Sequence, residues 1–171
     1  MSFKGQLVAL RACSEAMAWA GDKPLEEAWE TCERADWLLW FAAKVGVDRK
    51  VVVLAACAVA RTTLQYVKPG EARPLKAIET AEAWVRGEAN IEDVRRVAAD
   101  AADAAYAADA ADAAYAAYAA YAAADAADAA YAAVYAAVYA AYARASSLAQ
   151  SCKIVRATIT VDIVKAAIEK L

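Results

Sequence analysis

Three pairs of aspartates at three-residue spacing, Asp100/Asp103, Asp109/Asp112 and Asp125/Asp128, come nearest in this chain to a reactive or metal-binding constellation. On a helix, residues i and i+3 are neighbours, so each pair sets two like charges side by side. Paired carboxylates can share a proton or hold a cation, but calcium needs a loop that wraps oxygens around it, and an unbroken helix offers none. A second acidic group, Glu26, Glu27, Glu30, Glu33 and Asp36, could do acid–base work only if buried. Glu30 and Arg34 have the i,i+4 spacing of an ordinary surface pair, so this group reads as a solvated helix face. The cations Arg34, Arg61, Arg73 and Lys76, the last two in the Arg73-Pro74-Leu75-Lys76 turn, are the candidate phosphate-binding residues if the ligand is nucleotide-like.

Histidine is absent altogether. The commonest general acid–base and the commonest metal ligand are therefore missing, and neither a Ser-His-Asp nor a Cys-His constellation can be built. The phosphate-loop, dinucleotide and zinc-protease motifs are absent too. Cys13, Cys32, Cys57 and Cys152 are far apart, contain no CxxC, and read as free thiols buried on helix faces. No catalytic residue, metal or cofactor is expected; the chain reads as a binding or structural protein.

The aspartates sit in a tract that steps round a helix. Between Ala98 and Ala145 the 48 residues comprise 31 Ala, 8 Tyr, 6 Asp, 2 Val and Arg144, mostly as Ala-Ala-X with X Asp or Tyr. Alanine is the best helix former and no Gly or Pro interrupts, so one very long helix, or two stacked ones, is predicted. At about 100° per residue, a three-residue repeat falls back by about 60° each time, so X positions up to Tyr115 encircle the helix. After a slip at Ala122-Ala123-Ala124, the residues from Tyr118 to Tyr142 gather within a sector of roughly 140°. Tyr118, Tyr121, Asp125, Asp128, Tyr131 and Tyr135 are the candidate partner-binding residues, because Tyr brings much contact area at little entropic cost. The alternative is that the tyrosines pack on neighbouring helices and the aspartates are solvated. The alanine side invites another helix to approach closely, or a second copy of the chain to pair.

The remaining elements form an all-α, single-domain bundle of about six to seven helices. The Trp-rich helices lie in residues 1–89, the tract in 90–145 and C-terminal helices in 146–171. Helix one is expected over Phe3–Ala20, ended by Gly21, and helix two over Pro24–Lys44, with Asp22 as cap and Trp29, Trp37 and Trp40 as core. Helix three is expected over Arg49–Val67, capped by Asp48, apolar all round at Val51–Ala60 and hence central. Helix four spans Pro74–Arg86, stopped by Gly87. Asn90 opens the tract helix, with Asp93 in a capping-box position. Helices over Leu148–Ala157 and Val161–Leu171 follow, the latter capped by Thr160.

Net charge is −3, and the tract alone, with six Asp and one Arg, carries −5. An acidic rod on a near-neutral body lacks the basic stripe that nucleic acid requires. The start MSFKGQLVALRACSEAM has no signal-peptide core, and the longest charge-free run, Ala129–Ala143, is short and mostly Ala. A cytoplasmic protein without a membrane helix is expected.

The stretches CERADWLLWFAAKVGVDRKVVVLAACAVAR, KPGEARPLKAIETAEAWVRGEA and CKIVR, with the Ala/Asp/Tyr tract between the last two, resemble immunity proteins of bacterial polymorphic toxin systems, the fifth-type immunity-like group, which is also phage-borne. The resemblance covers most of the chain; RADWLLW and RPLKAIETAEAW are its most specific parts. It implies a helical, cytoplasmic, non-enzymatic protein that binds and neutralises a toxin or defence effector. Members often carry His-Ile-Pro near the C-terminus, where this chain has Thr158-Ile159-Thr160. The alternative function is a sponge of phage anti-defence type for a nucleotide-like small molecule, held between Trp and Tyr rings. A purely structural, homo-oligomeric role is the third.

Overall fold

The computed structural model describes residues 2–106, 121 and 148–171. Among them are nine α-helices, one 3₁₀ turn and no strand: α1 (Phe3–Ala9), α2 (Ser14–Ala20), α3 (Leu25–Thr31), α4 (Ala35–Lys44), α5 (Arg49–Arg61), the 3₁₀ turn Leu64–Tyr66, α6 (Arg73–Arg86), α7 (Ile91–Tyr106), α8 (Leu148–Thr158) and α9 (Val161–Ile168). Whether the tract is one helix or two lies outside the described residues, as does the expected bend at Ser146-Ser147.

Three expected helices are shorter or divided. The first breaks at Leu10–Cys13, where Arg11 takes φ 58°. The Arg11 N–H donates to Val8 O and the Ala12 N–H to Leu7 O, a Schellman stop with arginine in the left-handed position usually held by Gly. Gly46 and Gly87 close α4 and α6 with the same bond pattern, at φ 81° and 82°. Because a left-handed residue with a Cβ is strained by roughly 1 kcal/mol, exposed Arg11→Gly is expected to stabilise the fold by about 0.5 kcal/mol or more, read as a rise in the denaturant midpoint.

The second expected helix divides at Cys32-Glu33-Arg34, whose Cys32 and Arg34 are extended. Glu30 and Arg34 therefore do not share a helix, and Arg34 pairs with Asp36 instead. Asp22 does not cap α3: Pro24 holds that position, and Asp22 pairs with Lys4 at 3.2 Å. The third helix ends at Arg61, short of Val67. The Thr62 and Thr63 hydroxyls each donate at 2.7 Å to carbonyls three residues back, Val59 O and Ala60 O, and so compete with a further helical turn.

The other caps follow the expected pattern. Asp48 accepts from the Lys50 N–H at 2.7 Å, Asn90 from Asp93 at 2.9 Å and Thr160 from Ile163 at 3.4 Å. Thr158 ends α8, Ile159 is fully buried and Thr160 starts α9, so the Thr-Ile-Thr sequence is the hinge between the last two helices.

Helix α5 packs against α4, α6 and α8, but it is not enclosed on every side as expected: Leu54 is exposed, and Val51 and Ala58 are half-buried. One hydrophobic cluster runs from Leu7 in α1 to Ala167 in α9. Helix α7 packs along α6; its Val94, Val97, Ala98, Ala101, Ala104 and Ala105 are buried, while Asp103 and Tyr106 face outward. The alanine side of the tract's first turns is thus buried.

Candidate functional site

Of the six tract residues expected to bind a partner, Tyr121 lies among the described residues. It is helical, half-buried and packed against the core. Tyr118, Asp125, Asp128, Tyr131 and Tyr135 lie outside the described residues. Of the like-charge pair Asp100/Asp103 on α7, Asp103 is exposed and Asp100 half-buried.

The four candidate phosphate-binding cations do not form a cradle of free donors. Arg34 grips buried Asp36 through Nε and Nη2 at 2.9 and 2.7 Å. Arg61 grips Glu82 the same way, both bonds at 2.7 Å. Arg73 holds Glu71 through Nε at 2.8 Å and through Nη2. Each guanidinium fork is thus already filled by a carboxylate, the geometry a phosphate would need. Lys76 is exposed one turn along α6.

The Arg73 side chain donating to Glu71 is the main cause that draws the Glu71 carboxyl down to about 2, from an ordinary 4.5. A depressed carboxyl contributes stability above its unfolded pKa and loses it as pH falls through the folded value. The Glu71–Arg73 contribution is therefore complete above about pH 4.5 and disappears toward pH 2. In an NMR titration of the side-chain carboxyl carbons, Glu71 should turn over well below the other glutamates, and Arg73→Gln should return it to their range.

The thiols divide by burial. Cys32, Cys57 and Cys152 are buried and Cys13 is exposed, which corrects the expectation of four buried thiols. Burial pushes the Cys57 and Cys152 thiols up to about 12 and raises Cys32 as well. A thiol that stays protonated is a poor nucleophile. A disulfide-exchange reagent at neutral pH should release signal for Cys13 alone in the native chain, and for all four after denaturation. Among the described residues no group of three His, Cys, Asp or Glu side chains is placed to hold a metal ion. No described helix is long and apolar enough to cross a membrane.

One apolar concavity lies among the first four helices. Trp19, Trp29, Trp37 and Trp40 line one apolar crevice of about 40 Å³, together with Phe3 and Phe41. Helix α2 supplies Trp19, α3 Trp29 and α4 the other two. Trp29 is buried, whereas Trp19, Trp37 and Trp40 are only half-buried. The Trp19 and Trp37 rings meet at 5.8 Å, tilted. Lys23 sits over Trp19 and Arg34 over Trp37, at 4.7 and 4.6 Å from the ring centroids. The Trp29 Nε1–H is buried without a hydrogen-bond acceptor among the described residues. The spacing of Trp29, Trp37 and Trp40 pointed to core packing; that Trp37 and Trp40 open with Trp19 onto a crevice depends on how α2, α3 and α4 converge.

The sequence profile of the family described as "Imm-5 like putative immunity protein" matches residues 46–162. The chain belongs to this family. The matched residues of this immunity-family chain comprise α5, α6, α7 and α8 and the intervening tract. Helices α1 to α4, which carry the tryptophan crevice, and most of α9 lie outside the match. No match was found among curated proteins or among solved structures.

Proposed function

We propose that this chain is a non-enzymatic immunity protein that neutralises a toxin or defence effector in the cytoplasm by binding it. The observation that carries this reading is the family match over α5 to α8. The chemistry of the chain agrees with it. Without histidine, and with its arginine forks filled by carboxylates, the described surface favours contact over turnover. The acidic tract, with its tyrosines at Tyr118, Tyr121, Tyr131 and Tyr135 and its aspartates at Asp125 and Asp128, is the proposed long contact face. Rings with hydroxyl tips bury area, and carboxylates steer a basic partner. Co-expression with the toxin encoded beside this gene should restore growth, and the two proteins should co-purify as a complex. Absence of both rescue and complex would overturn the reading.

A further inference from the structure

We infer that the tryptophan crevice between α2, α3 and α4 is the anchor point for the toxin, and that it takes one aliphatic side chain presented by a basic protein surface. This rests on the immunity reading and adds to it a location outside the family-matched residues and a partner chemistry.

The crevice has two properties that a buried core lacks. Three large indoles, Trp19, Trp37 and Trp40, keep part of their surface in water although they adjoin the core. Tryptophan is among the residues that dominate binding energy when a partner completes their burial. The fourth, Trp29, is 2 % exposed and has an indole N–H that no described residue satisfies. The space between the rings is also small. At about 40 Å³ it falls far below the ~300 Å³ of a small-molecule pocket. The end of an aliphatic side chain fits it and a nucleotide does not.

Charge selects the partner. Residues 14–36, which build α2, α3 and the start of α4, carry seven carboxylates against two cations, Lys23 and Arg34. Arg34 is bound to Asp36, and Lys165 reaches Glu26 from α9 at 2.6 Å. Glu27, Glu30 and Glu33 are exposed and have no cationic partner among the described residues. Helix α3 therefore turns Leu25, Ala28 and Trp29 to the crevice and a row of carboxylates to solvent. A Lys- and Arg-rich surface would be drawn to this segment, and an anionic ligand repelled.

The test uses the full-length chain and the toxin encoded beside it. Trp37→Ala, which removes a half-buried wall, should weaken the complex by about 30-fold or more. The triple variant Glu27→Lys/Glu30→Lys/Glu33→Lys touches no buried atom; it should slow association by about tenfold or more at low salt, with the difference shrinking as salt rises. In the unaltered complex the Trp29 indole N–H resonance should move as the crevice that its ring lines is filled. Circular dichroism reports whether Trp37→Ala is folded; if it is not, the triple variant and the Trp29 resonance decide. A complex of unchanged affinity and rate in the variants, with the Trp29 resonance unmoved, would overturn the crevice as anchor and leave the immunity reading standing. No rescue and no complex with the unaltered chain would overturn both.

Discussion

Replacing Arg156 by methionine is expected to lower the unfolding free energy by about 3 kcal/mol. The Arg156 guanidinium donates through Nε to Trp29 O at 2.7 Å and through Nη2 to Cys32 O. Both acceptors lie at the C-terminal end of α3, where carbonyls have no helical partner and the helix dipole is negative. Methionine keeps much of the aliphatic volume but strands the two carbonyls, and each hydrogen bond to a charged group contributes about 1.5–3 kcal/mol. Lysine at this position keeps the charge but lacks the planar fork, so it should recover part of the loss. Urea unfolding followed by tryptophan fluorescence measures the difference, because Trp29 itself lies at the clasp. A loss below about 1 kcal/mol would mean that water satisfies these carbonyls equally well.

Leu39→Ala is expected to cost about 3 kcal/mol, within the usual range for a buried leucine truncated to alanine. Leu39 is fully buried in α4, which packs on α5 and α8. Its importance is wider than one cavity. Helix α4 lies outside the family-matched residues, while α5 and α8 lie within them. A single hydrophobic cluster links both parts, so the variant should shift one cooperative unfolding transition. Fluorescence of the N-terminal tryptophans and far-UV ellipticity should move together. Two separate transitions, with only the first moved, would make α1 to α4 an independent appendage.

Local chemistry made much of the fold legible in advance. Asp48, Asn90 and Thr160 act as caps because their short oxygens reach an orphan N–H within the same turn. Gly46 and Gly87 stop helices because the left-handed backbone costs them nothing. The apolar Val51–Ala60 run marked a helix with most of its surface in the core, although Leu54 faces outward. The break at Arg11 was illegible for the opposite reason: arginine in a left-handed position carries no sequence signal. The Trp crevice was half legible. Four tryptophans between residues 19 and 40 announced a large apolar area, but whether each faces the core or an opening depends on the angle between short helices.

Residue types alone determined that the chain is helical, that His-dependent chemistry is absent, and that its acidity is concentrated in particular stretches. These follow from backbone propensity and side-chain inventory, which act over a turn or less. Tertiary structure decided where the helices divide and which charges are spoken for. The second expected helix gives way at Cys32, where a guanidinium 124 residues away holds the carbonyls that a continuing helix would have used. Arg34, Arg61 and Arg73 looked available as phosphate ligands until folding set a carboxylate in each fork. An unpaired indole in a ring of half-covered tryptophans likewise exists only once α2, α3 and α4 have met. Such facts depend on contacts between residues distant in the chain, which local propensity does not encode.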